Sequence, residues 1–150
     1  MANSFISCYV HVVFSTYRRQ PSIEESWRER LWAYIGGVLE SANMVPICVG
    51  GTEDHCHALI AIPGTLALSH AVQLLKGGSS HWIRQNIPSA EGFAWQEGYG
   101  AFSVSPNARN TVIAYIRGQE EHHKLRSFQD EYLRPLVDSG VEFDERYVWG

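Results

Sequence analysis

His55 and His57 flank Cys56 at the head of an apolar run that continues to Ile62. Side chains two apart on a β-strand share a face, so both imidazoles can close on one metal ion while Cys56 turns into the opposite layer. Such a pair is an incomplete metal site, because at least one more donor is needed. Taken alone it reads more readily as two hydrogen-bonded polar residues on a half-exposed face.

Further along, Tyr115, Gln119 and His122 fall at i, i+4 and i+7 and project from one stripe of a helix. A tyrosine one turn from an amide oxygen is an unusual neighbour for a His-x-His strand. Each also has a plainer role, the tyrosine as core or rim and the glutamine as solvated surface. His122 and His123 suit a helix C-terminus as well as they suit a phosphate contact. A third group, Lys76, Ser79, Ser80, His81 and Arg84, sets cationic and hydroxyl donors around Gly77-Gly78, where backbone can approach a phosphate closely. Arg18, Arg19, Arg117 and Lys124 could extend that surface, or could simply be solvated. Trp82, Trp95 and Tyr99 could stack on unpaired bases or belong to the core.

The elements that must position these groups follow from periodicity. Phe5 to Phe14 alternates apolar Ile6, Cys8, Val10, Val12 and Phe14 with Ser7, Tyr9 and His11, the pattern of a strand with one packed face. Ser22 and Glu25 make a capping box before a helix bearing Trp27, Leu31, Ile35, Val38, Leu39 and Ala42, which predicts a helix to about Asn43. Met44 to Val49, the turn Gly50 to Asp54, and His55 to Ile62 predict a hairpin. A second helix is expected from Leu68 through Arg84, with Gly77-Gly78 where a kink would fall. A short strand spans Gly100 to Val104, and Ser105-Pro106 caps a third helix through Tyr115 to about Lys124. The order β-α-β-β-α-β-α is that of an α+β, ferredoxin-like split βαβ sandwich. It has a four-stranded antiparallel sheet with helices on one face, strands one and three central, and a further C-terminal helix carrying Tyr115.

At 150 residues and 45% hydrophobic the chain is long enough for one domain with its own core. It shows no long apolar stretch to span a bilayer and no signal-peptide pattern at its start, which predicts a cytoplasmic protein without membrane contact. Cys8, Cys48 and Cys56 are odd in number and lie in apolar runs, so no disulfide framework is expected. The net charge is −4, but residues 127–150 hold six acids against two bases, so residues 1–126 are neutral. Bulk charge therefore does not advertise nucleic acid, and any such partner must use a local patch. Residues 127–150 are expected to form an acidic extension packed on the 1–126 domain.

His-Cys-His before Ala-Leu-Ile, Lys76-Gly-Gly-Ser-Ser before Trp82-Ile83, Gly98-Tyr-Gly-Ala-Phe-Ser-Val-Ser, and Tyr115-Ile-Arg-Gly-Gln119-Glu-Glu-His-His-Lys occur in that order. Together they resemble the HUH single-tyrosine transposases, of the insertion-sequence type and their REP-associated relatives. The resemblance implies a DNA strand transferase that cuts single-stranded DNA beside a hairpin, by attack of tyrosine on phosphorus. It implies His55 and His57 as metal ligands, Gln119 as the third ligand and Tyr115 as nucleophile, and it implies a homodimer bound to single-stranded hairpin DNA in the bacterial or archaeal nucleoid. Cys56 takes the apolar middle position of the motif.

The residue types suit that chemistry independently. A phenol with a pKa of about 10 needs help to act as a nucleophile at neutral pH. A divalent ion held by two imidazoles and an amide oxygen, with open positions, can polarise a phosphate oxygen. Ligand type alone favours Zn²⁺ or Mn²⁺, whereas phosphate oxygens in the site bring Mg²⁺ or Mn²⁺ forward; no organic cofactor is expected. Two rival readings stay open. One is a non-catalytic relative that binds hairpin DNA as a regulator, and the other a metal-dependent hydrolase in which His55 and His57 activate water.

Overall fold

A computed structural model describes residues 3–119. Strands β1 (Tyr9–Ser15), β2 (Val45–Gly51), β3 (His55–Ala61) and β4 (Gly100–Val104) form one sheet in the order β2-β3-β1-β4, every neighbouring pair antiparallel. Helices α1 (Glu25–Ser41) and α2 (Leu68–Asn86) connect them, and α3 (Arg109–Arg117) follows β4. This is the split βαβ arrangement expected, with β1 and β3 central.

The pleat divides the sheet cleanly. Val10, Val12 and Phe14 of β1 and Cys56, Ala58 and Ile60 of β3 are buried together with Trp27, Leu31, Ile35 and Leu39 of α1 and Val72, Leu75 and Ile83 of α2. That single apolar layer excludes water between sheet and helix pair. The alternate residues, His11, His55, His57 and Leu59, face the other way, where α3 packs over β2 and β3.

Several boundaries differ from the sequence expectation. β1 begins at Tyr9, not Phe5, because β3 and β4 both end opposite Tyr9; only the Ile62 N–H to Cys8 carbonyl bond continues the ladder. Phe5 is 96% exposed. Ser22 does not cap α1: its hydroxyl bonds the Gln20 carbonyl, and the N-cap position is Glu24. α2 is one unbroken helix across Gly77-Gly78. A Cβ on Gly78 would lie 3.3 Å from Val38 of α1, so this glycine serves close packing of the two helices. Ser105-Pro106 opens a short 3₁₀ turn over Pro106–Ala108, and α3 proper starts at Arg109 and ends at Arg117 with Gly118 as its C-cap, so Gln119 lies just past the helix that carries Tyr115. No described helix is long and apolar enough to cross a membrane. The expected acidic extension, Lys124, His122 and His123 lie outside the described residues.

Candidate active site

The β1/β3 register sets His55 opposite Ser15 and His57 opposite Val13, on the face that α3 covers. Gly50 of β2 sits beside His57, and a Cβ there would come within 3.0 Å of the Ile116 side chain and 3.2 Å of its carbonyl oxygen. The missing side chain therefore lets the backbone of α3 lie against the sheet. With buried Ile116 seated there, α3 turns Tyr115 toward the imidazoles, and Gln119, one residue past the Gly118 C-cap, reaches them as well.

The contacts are specific. Gln119 Oε1 lies 2.6 Å from His55 Nε2, while the Gln119 amide donates to the Tyr115 carbonyl at 3.3 Å. The Tyr115 ring stands edge-on to His57 with centroids 5.5 Å apart, and the two imidazoles are 5.0 Å apart and nearly perpendicular. His55 and His57 are 0% and 2% exposed, and Gln119 is 1% exposed. The four residues singled out as ligands and nucleophile thus converge within one chain.

His55 Nδ1 donates to the Asp54 carboxylate at 2.7 Å, and the Thr52 hydroxyl lies 2.9 Å from the same nitrogen while bonding Asp54 at 3.1 Å. The 2.6 Å distance from Nε2 to Gln119 Oε1 is that of a hydrogen bond, which a neutral His55 donates only with its proton on Nε2; with the proton on Nδ1, held by Asp54, the ring instead offers its Nε2 lone pair to a cation. His57 Nε2 is buried without a hydrogen-bond partner. Burial above all, then the electrostatic effects of His55 and of His11, hold the His57 pKa well below its ordinary value, against the opposing effect of the Gln119 side chain. Burial lowers His11 to about 4. Burial thus favours the neutral, lone-pair-bearing form of His57, and His55 Nε2, His57 Nε2 and Gln119 Oε1 make a nitrogen and oxygen donor set that fits a divalent cation. The third donor is an amide; among the described residues no three His, Cys, Asp or Glu side chains converge as a ligand group.

A family profile described as "Transposase IS200 like" matches residues 4–119, most of the chain. The chain belongs to the IS200-like transposase family. Among the solved structures that share its fold are two described as transposases. One is a candidate transposase from Deinococcus radiodurans R1, with a TM-score of 0.66 at 18% identity, covering 79% of this chain and 95% of that one. The other is a REP-associated tyrosine transposase bound to a REP hairpin, with a TM-score of 0.61 at 13% identity, covering 95% of this transposase and 87% of that chain. No curated protein gives a significant match.

The expected DNA-binding group on α2 does not stand together. Ser79 is fully buried, accepting the Trp95 indole N–H at 2.9 Å and donating to the Lys76 carbonyl, so it cannot meet DNA. The Lys76 ammonium donates to the carbonyls of Gln96, Glu97 and Gly98, which ties down the loop before β4. Trp95 is core, edge-on to Phe14 and Phe93. Ser80 bonds the Gly77 carbonyl within its helix, and exposed Arg84 donates to the Phe93 carbonyl, both on the helix pair across the sheet from Tyr115. Arg18 is exposed over the Tyr17 ring, in a turn whose Thr16 bonds Asp54, next to His55. Exposed Arg117 lies on α3 beside Cys48, opposing the burial that raises that thiol. Sequence reasoning missed Asp54, Thr52 and Gly50. The acid adjoining the motif was the available signal, whereas the role of Gly50 depends on where α3 docks.

Proposed function

We propose that this transposase cleaves and rejoins single-stranded DNA beside hairpins through a 5'-phosphotyrosine on Tyr115, with a divalent metal, Mg²⁺ or Mn²⁺, held by His55, His57 and Gln119. The observation that carries the reading is the convergence of Tyr115 of α3 and Gln119, just past its end, on the His55/His57 face. The Tyr115 oxygen would attack phosphorus, the bond to the 3'-oxygen would break, and the phenolic proton would pass, net, to the released 3'-hydroxyl. Because the phosphoester is conserved in the adduct, a 3'-hydroxyl can reverse the step and join strands without ATP. When bound, the metal supplies polarisation of a non-bridging phosphate oxygen and offsets transition-state charge. Asp54 and Thr52 orient His55, and burial keeps His57 neutral as a donor. Arg18 and Arg117 flank this end of the sheet and are the best-placed phosphate contacts, while Arg84 and Ser80 could reach only a separate stretch of DNA. The solved structure of a REP-associated tyrosine transposase with its hairpin supports hairpin DNA as the substrate class. A homodimer and a catalytic unit over residues 1–126 belong to the same reading.

The test uses 3'-end-labelled, hairpin-bearing single strands with Mn²⁺ or Mg²⁺, followed by denaturing electrophoresis. Label on the wild-type protein band and none on Tyr115→Phe is the expected result. An undiminished adduct in Tyr115→Phe sinks the nucleophile; hairpin binding that persists in EDTA with no adduct under either metal favours a regulator, and cut ends without a protein-linked strand favour a hydrolase.

A further inference from the structure

We propose that His11 is a positioning residue that holds His57 in the tautomer with its proton on Nδ1 and its Nε2 lone pair turned toward Gln119 and His55. This rests on the reading of those residues as metal ligands. His11 Nε2 lies 2.8 Å from His57 Nδ1, and the two rings stack with centroids 5.0 Å apart at 29°. Both side chains are buried, so water does not compete for the bond. The pairing is fixed by the sheet: His11 stands opposite Leu59 and Val13 opposite His57, so the two histidines are diagonal neighbours on one face of β1 and β3.

Two facing ring nitrogens can share only one proton when both rings are neutral. If His11 donates, His57 must carry its proton on Nε2, a buried atom with no partner in hydrogen-bonding geometry, because the neighbouring Gln119 oxygen lies against His55 Nε2 at 2.6 Å. If His57 donates from Nδ1, its Nε2 becomes a lone pair and His11 keeps its proton on Nδ1, a nitrogen that is not stranded in the same way. The second arrangement is the one that strands no buried donor. It also matches His55, whose Nδ1 is held by Asp54. Both imidazoles are thus gripped from Nδ1 and offer Nε2, one by a carboxylate and the other by a neutral ring. Outer partners of this kind orient metal-binding histidines generally.

The experiment is a long-range ¹H–¹⁵N spectrum of EDTA-treated, ¹⁵N-labelled protein at pH 7.5, with His57 assigned by its loss in His57→Asn. Expected is a protonated Nδ1 and a bare Nε2 on His57. His11→Gln, which can set an amide oxygen near the same point, should preserve that tautomer. His11→Phe, which keeps a ring but removes the acceptor, should move the proton to Nε2 and weaken Mn²⁺ binding by roughly 10–100-fold. A wild-type His57 protonated on Nε2 overturns the proposal, and so does a folded His11→Phe with unchanged tautomer and unchanged Mn²⁺ affinity. The wild-type spectrum decides even where His11→Phe does not fold. A wild type that binds no Mn²⁺ yet shows the Nδ1 proton supports the positioning and sinks only the metal reading.

Discussion

An imidazole in the unfolded chain gains a proton near pH 6.5, whereas His11 in the fold resists until about pH 4 and His57 resists more strongly than an ordinary histidine. Between those values the unfolded chain binds more protons, so the stability these rings confer is full above pH 6.5 and is lost as pH falls toward 4. For the metal-free protein, His11 alone is expected to remove about 2 kcal/mol between pH 7 and pH 5. A urea midpoint that does not move over that interval would contradict this, and His11→Phe should flatten the dependence. Gln119→Leu removes the amide oxygen from His55, and Mn²⁺ affinity is expected to fall at least about tenfold, as for weaker changes around metal ligands. Calorimetric titration checks it, with the thermal midpoint recording that the fold persists.

At the scale of elements, the docking of α3 on the sheet decides whether a site exists. Gly50→Ala places a methyl against Ile116 and its carbonyl. Overpacking of this kind costs about 1–3 kcal/mol, and because relief comes by lifting α3, covalent adduct should fall further than the thermal midpoint implies. Gly51 is more constrained, since a Cβ there would overlap the His55 carbonyl oxygen. Lys76 belongs to the fold as well: Lys76→Met forfeits three carbonyl contacts and should lower stability by about 1–2 kcal/mol, measured by denaturant melts, while hairpin affinity stays within twofold. The order of elements was legible because helical and strand periodicities are local. Their ends were not: β1 stops where its partners stop, and the Ser22 capping pattern loses to a turn in which that hydroxyl bonds Gln20.

For the whole molecule, charge is the useful measure. The net charge is −4, with the acids concentrated after residue 126. Binding to a hairpin should therefore draw on few phosphate contacts. If Arg18, Arg84 and Arg117 supply them, affinity should fall with salt at a log–log slope of roughly −2 to −3, and Arg18→Ala should reduce the slope by about 0.7–0.9 across unrelated sequences. Filter binding from low to moderate salt reads both, and an unchanged slope removes Arg18 from the interface. The amino-acid sequence by itself determined that His55 and His57 share a strand face, because that relation follows from backbone repeat within one element. The helix stripe expected for Tyr115 and Gln119 is instead interrupted at Gly118, the C-cap of α3, and both residues still reach the imidazoles. Only the tertiary structure decided that strand and helix meet. It also decided that Asp54 and His11 hold the outer nitrogens, and that Ser79 and the Lys76 ammonium turn to internal partners instead of DNA. Those relations depend on strand register and on which faces pack, and residues far apart in the chain carry no local period to announce them.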